Sequence, residues 1–212
     1  MERWATFDCY GTLVDWNAGI GRELERLLGA ERAADVLHRY HEVEPQVQRE
    51  DPSRTYREVL AITLSRLGGV PAEEQDALGK SLPSWPVFPE VRPALEEARA
   101  RGWKLAILSN TDREFIDASM KNIGVPFELA IVAGEIGSYK PAHGHWAEFA
   151  SRVRADVHVH VAASLFHDVA PATELGLPTI WINRLGEQPE PQPDVELHTL
   201  TGLGESLDAF AA

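Results

Sequence analysis

One cysteine, Cys9, stands in 212 residues. A lone thiol rules out an intrachain disulfide and suits a reducing cytosol. Cations are scarce too: 20 Lys and Arg face 33 Asp and Glu, for a formal net charge of −13. That balance argues against non-specific attraction to nucleic acid or an anionic bilayer, both of which need clustered cations. It leaves room for a small anionic substrate in a locally basic pocket. No apolar run approaches the length of a membrane span. The N-terminus enters Arg3–Phe7 at once, without the basic, apolar and small-residue series of a secretory signal. No internal repeat or low-complexity tract is present. The expected location is cytoplasmic, with no nucleic-acid or membrane partner.

What is present reads as an ordinary globular chain, 44% hydrophobic and 25% charged, long enough for one core plus a smaller insert. Trp4 to Asp8 reads as a short buried strand. Residues 15 to 88 look almost wholly helical: Ala33, Val36, Leu37, Tyr40, Val43 and Val47 recur at helical spacing. "DPSRTYREVLAITLSRLGG" starts on cap-type residues and ends on a glycine pair, and one more short helix follows. From Pro89 the pattern changes to strands ("WKLAILSN", "FELAIVAG", "VHVHVAAS", "PTIWINR") alternating with helices, then a Pro-rich loop, a final short strand and a helix. Alternation of this kind predicts parallel βαβ units with helices on both faces. The expected architecture is an α/β, Rossmann-like core over residues 1–14 and 89–212, with a helical cap, 15–88, inserted after the first strand. Ligands in such sheets bind beyond the carboxyl ends of the strands, and the insert leaves from that end, so it is expected to cover the site.

Polar residues gather at those strand ends: Asp8, then Ser109 and Asn110, then Lys140, then Ser164 and Asp168. Each alone is what any strand end needs where the chain turns into solvent. Together they suit catalysis by a nucleophilic carboxylate, with the lysine holding it ionised and the polar pair orienting it.

"FDCYGTLVD", "LAILSN", "SYKP" and "SLFHDVAPATELGLPTIWINR" resemble, in order, the four motifs of the haloacid dehalogenase superfamily, and "FDCYGTL" is similar to the first motif of its 2-haloacid dehalogenases. The resemblance spans nearly the whole chain. It implies a Rossmann-like core with a nucleophilic aspartate at Asp8. It implies that Asp8 displaces halide from C2 of a short 2-haloacid and that water then cleaves the ester. Lys140 would pair with Asp8, Asp168 would help activate water, and Thr12 would orient the nucleophile. Ser109, Asn110 and Ser164 would contact substrate or nucleophile. Tyr10 would wall the reacting carbon, and Arg39, matched by spacing from Asp8 and lying beside the apolar stripe, would receive the halide.

Each has a plainer reading: Asp168 as a helix N-cap, Thr12 as a turn residue, Ser109 and Asn110 as caps of the next helix, Tyr10 as a core aromatic with its hydroxyl on the backbone, and Arg39 as a solvated helix residue. Trp146 reads as core, and Cys9 as a buried thiol on the opposite strand face. His158 and His160 share a strand face but have no third ligand nearby for zinc. His143 and His145 show no ligand geometry, and His167 adjoins Asp168.

Two departures separate the chain from the superfamily's phosphatases. Their second acid, two residues after the nucleophile, is Tyr10 here, and the first acid of their fourth motif is Ala163. Mg²⁺ wants oxygen ligands, usually carboxylates, and an alkoxide leaving group needs a proton donor. A departing halide needs neither, so no metal and no cofactor are expected. The dehalogenases' asparagine near Ser164 and Leu165 is also missing. The expected partner is a small-molecule 2-haloacid, and a homodimer is compatible with the chain. A Mg-dependent phosphatase and a non-catalytic binding protein on the same scaffold are the competing readings.

Overall fold

A computed structural model describes residues 1–211. Six strands form one parallel sheet: β1 (Arg3–Phe7), β2 (Lys104–Ser109), β3 (Leu129–Val132), β4 (Val157–Ala162), β5 (Thr179–Ile182) and β6 (Val195–Leu197). Their spatial order is β3-β2-β1-β4-β5-β6. The chain winds outward from β1 in one direction and then from β4 in the other, so the crevice between β1 and β4 is the topological switch point, where doubly wound sheets bind ligands.

The central strands are buried on both faces, which explains their unbroken apolar runs. On one face, Ala5, Phe7 and Cys9 pack into a large core with Val91 and Leu95 of α5 (Val91–Ala100), Phe115 and Ile116 of α6 (Arg113–Ile123) and Leu203 and Leu207 of α10 (Leu203–Asp208). On the other, Trp4, Ala106, Leu108 and Ile131 meet Trp146 and Phe149 of α8 (Gly144–Arg152) and Ala172 of α9 (Ala170–Glu174). The alternation of a strand therefore places Cys9 on the face opposite Asp8. The run after β3 was expected to remain extended, but the chain turns directly into a one-turn helix, α7 (Ala133–Ile136), stopped by Gly137 in the left-handed region (φ 63°).

Between β1 and α5 the chain forms α1 (Trp16–Leu28), α2 (Ala30–Glu50), α3 (Tyr56–Leu67) and α4 (Ala77–Ser81). α1 starts on Asp15, whose carboxylate accepts from Ala18 N, and α3 starts on a complete capping box of Thr55 and Glu58. α2 continues through Pro45. Close packing of α1 depends on Gly19: a Cβ there would lie 2.3 Å from Trp85 Cγ. The segment leaves and rejoins the sheet along paired backbone, with Asp15 N donating to Pro86 O (2.7 Å) and Phe88 N to Leu13 O (3.1 Å). A second attachment comes from α3, whose first amides, Tyr56 N and Arg57 N, donate to the two oxygens of Asp112, at 3.1 and 3.0 Å.

Candidate active site

Asp8 follows the last residue of β1 and lies at the switch point, 8% exposed. Lys140 comes from the loop after α7 and is 2% exposed. Its ammonium donates to Asp8 Oδ1 (2.9 Å), Asp168 Oδ1 (2.5 Å) and Leu108 O (2.8 Å), using all three of its protons. The other oxygen of Asp8 accepts from Thr12 Oγ1 (3.0 Å), and Thr12 in turn accepts from Ala163 N (2.9 Å). The four residues singled out as catalytic are thus joined in one network.

Burial pushes the Asp8 carboxyl up, opposed by the Lys140 ammonium and reinforced by the negative charge of Asp168. Asp168 is held below the usual carboxylate range: Lys140 and a hydrogen bond from His160 overcome the penalty of burial. Lys140 is raised, because the two carboxylates outweigh its own desolvation.

Asp168 is not the helix cap that its sequence allowed. It sits inside a wide helical turn, Leu165–Val169, closed by Val169 N donating to Ser164 O (3.1 Å). The cap is Ser164, whose hydroxyl accepts from His167 N (3.0 Å) and lies 3.1 Å from His167 Nδ1. Turns of this widened type recur at functional sites, and this one aims Asp168 back under the sheet edge. There His160 Nε2 lies 3.0 Å from Asp168 Oδ1, while His160 Nδ1 and His158 Nε2 each lie 2.9 Å from Thr6 Oγ1. His160 therefore braces Asp168 directly, and Thr6 ties His160 to His158. Burial holds His158 neutral, with its pKa down to about 3.

Asn110 makes a reciprocal pair with the backbone of Lys140: its amide donates to Lys140 O (2.9 Å) and its carbonyl accepts from Lys140 N (2.7 Å). Ser109 is fully buried, and its hydroxyl meets no partner. Neither residue caps α6, whose N-cap position is Asp112. Tyr10 bonds its hydroxyl to Ser119 Oγ (3.0 Å) and packs its ring edge-on to Trp85, so its hydroxyl rests on a side chain and not on the backbone. Trp146 is core.

Asp8, Tyr10, Ser109, Asn110, Lys140, Ser164 and Asp168 line a single cavity of about 730 Å³. Arg39 does not. It is exposed on α2 and reaches Leu67 O (3.4 Å), away from the cavity. The physical reason is helical phase: Tyr40 and Glu44 take the inward face, and a residue one step earlier is turned about 100° from Tyr40. The residues of the helical segment that do reach the cavity include Trp16, Asn17, His41, Glu44, Gln48 and Tyr56, none of which was singled out from sequence. Glu44 and Gln48 carried a signal, since they continue the spacing of Tyr40, but a search for apolar residues passes over them. Arg184, just after β5, was also missed. Its guanidinium donates to Gly11 O (3.1 Å) and Thr12 O (2.8 Å) and lies over the Phe88 ring, bracing the loop that carries Asp8.

The oxygen set does not suit Mg²⁺. Tyr10 and Ala163 replace two acids, and the Lys140 ammonium lies between the two carboxylates that remain. Among the described residues no cluster of three His, Cys, Asp or Glu side chains has ligand geometry.

A family model of haloacid dehalogenase-like hydrolases matches residues 3–163, and the chain belongs to that family of hydrolases. It is 30% identical to an (S)-2-haloacid dehalogenase of Pseudomonas sp. (strain YL), over 97% of this chain and 94% of that one. It is also 30% identical to a phosphoserine phosphatase of Thermus thermophilus, over 69% of this chain and 61% of that one. The L-2-haloacid dehalogenase structure from Xanthobacter autotrophicus superposes with a TM-score of 0.82 at 21% identity, covering 98% of this chain and 99% of that one.

Proposed function

We propose that the protein is a metal-independent hydrolytic dehalogenase of 2-haloalkanoic acids. In this reading residues 15–88 form a lid domain over a core of 1–14 and 89–212. The observation that carries it is the Lys140 ammonium bridging Asp8 and Asp168 on the cavity floor, where a phosphatase would need a second acid and a metal. Asp8 attacks C2 of the substrate, the carbon–halogen bond breaks with its electron pair, and an ester forms on Asp8. Chloride or bromide leaves as a weakly basic anion, so the tyrosine at position 10 is no handicap. Water then adds to the ester carbonyl on Asp8 and a 2-hydroxy acid departs. Lys140 holds Asp8 ionised, Thr12 fixes its second oxygen, and Asp168, braced by His160, orients Lys140 and the entering water. Ser109 lines the cavity, with its hydroxyl buried and without a partner. With Arg39 outside the cavity, the halide is received by residues that line it from the helical segment, Trp16 and His41 among them.

Similarity to (S)-2-haloacid dehalogenases supports carbon–halogen chemistry, and the phosphoserine phosphatase among the relatives is the ground for the alternative. One assay separates the two: halide release from 2-bromopropionate and phosphate release from p-nitrophenyl phosphate, each with Mg²⁺ and with EDTA. Halide release indifferent to EDTA and absent in Asp8→Asn is expected. Phosphate release that EDTA abolishes would replace this reading with a phosphatase.

A further inference from the structure

The wall of the cavity contributed by α2 is unlike its floor. Glu44 is 7% exposed and lines the cavity, and Gln48 Nε2 donates to its Oε1. Its hydrogen-bond partner is Gln48, and among the described residues no cation pairs with it. Burial pushes its carboxyl up to about 7. A buried carboxylate without a counterion is costly. Asn17 opens onto the same cavity from α1, and its Oδ1 is buried without a donor. The wall thus presents one carboxylate without a cation, Glu44, and one amide oxygen without a donor, Asn17 Oδ1. The lining as a whole leans the same way: Asp8, Asp15, Glu44, Asp168 and Glu187 face only Lys140 and Arg184 as cations. Lys140 is committed to the floor, and Arg184 pairs with Glu90 at 2.7 Å. A bare monoanion such as chloroacetate fills a small part of about 730 Å³ and meets a negative wall.

We propose that this pocket selects a substrate with a protonated amine at the end remote from the reacting carbon, received by the Glu44 carboxylate and the Asn17 carbonyl. An ammonium supplies the missing counterion for Glu44 and carries three donors and no acceptor, which matches the unpartnered Asn17 oxygen as well. The inference rests on the dehalogenase reading only for the chemistry at the other end: the substrate class becomes an ω-amino-2-haloalkanoate, zwitterionic at neutral pH.

Calorimetric binding tests it without turnover. The probes are 4-aminobutanoate, 6-aminohexanoate and 8-aminooctanoate beside butanoate, hexanoate and octanoate, on the parent, Glu44→Gln and Glu44→Asp. The expected result is that at least one amino acid of the series binds the parent about tenfold tighter than its amine-free counterpart. Glu44→Gln should lose that preference and Glu44→Asp should keep part of it. Equal affinities across every pair in the parent would overturn the proposal, even if neither variant folds. A preference unchanged in a folded Glu44→Gln would also overturn it, by moving the amine elsewhere. Halide release from 6-amino-2-bromohexanoate and 2-bromohexanoate is measured in parallel. No halide from either, with the amine preference intact, would sink the dehalogenase chemistry and leave the amine site standing.

Discussion

Lys140 shows how much one side chain organises. Its ammonium separates two carboxylates that would otherwise repel in a buried place. Removing one partner of a buried ion pair is expensive, because the charges left behind lose both water and counterion. Lys140→Met should abolish halide release and destabilise the fold by about 3 kcal/mol or more, read by denaturant unfolding. Adding Asp168→Asn should restore part of the stability and none of the activity. A single variant as stable as the parent would show that the pair contributes nothing to folding. Glu44 gives the opposite case. Its folded pKa of about 7 exceeds the ordinary 4.5, so between those values the native state keeps a proton that the unfolded chain has lost. Stability should therefore fall as pH rises from about 4.5 through 7. Glu44→Gln should be more stable than the parent by about 1–3 kcal/mol at pH 8 and nearly equal at pH 5. A constant difference across that range would contradict the assigned burial of charge. Asp8, Lys140 and Asp168 were legible because strand ends of an α/β sheet converge by topology, and Thr12 only through the resemblance of the first motif. Glu44 was not, because an acid inside an apolar stripe reads as its solvent edge until the neighbouring helix is in place. Spacing from Asp8 also misled for Arg39, since residue count does not fix which face of α2 a side chain occupies.

Among the elements, α3 is the one whose placement most depends on a single side chain of the core. Its first two amides are unsatisfied by the helix itself, and both donate to Asp112. A carboxylate at a helix N-terminus also meets the positive end of the helix dipole. Around this contact Arg57 reaches Glu114 at 2.9 Å and Tyr139 donates to Arg54 O at 2.9 Å, but the Arg57–Glu114 pair is solvent-exposed and worth little. Asp112→Ala should therefore cost about 1–2 kcal/mol of stability. It should also raise KM more than it lowers kcat, because the helical segment that carries the far wall of the cavity loses an attachment to the sheet. Glu114→Ala should change both by far less. Equal effects of the two substitutions, measured by thermal unfolding and steady-state halide release, would place the attachment elsewhere. The strands and long helices could be read from apolar runs and caps. The wide turn at Leu165–Val169 could not, because "DVAPA" carries a stronger local cap signal than the Ser164 hydroxyl that wins in three dimensions.

At the scale of the whole molecule, the charge of −13 surrounds a cavity whose lining is itself acidic. A monoanionic substrate approaches and binds against that potential, whereas a zwitterion does so with its ammonium leading. Salt screens exposed charges over about 10 Å at 0.1 M and about 3 Å at 1 M. Raising the ionic strength should thus relieve the penalty on an anion and weaken the attraction on an ammonium. We expect kcat/KM for 2-bromopropionate to rise about twofold between about 0.01 and 0.5 M salt, with the change in KM. Release from uncharged 2-bromopropionamide should stay level over the same range, which controls for salt effects on folding and on the chemical step. The quantity to record is halide release under first-order conditions for both substrates, with a non-halide salt such as sodium sulfate so that product is not masked. A kcat/KM for the anion that falls with salt would mean that the local field of Lys140, and not the acidic lining or the net charge, governs entry to the site.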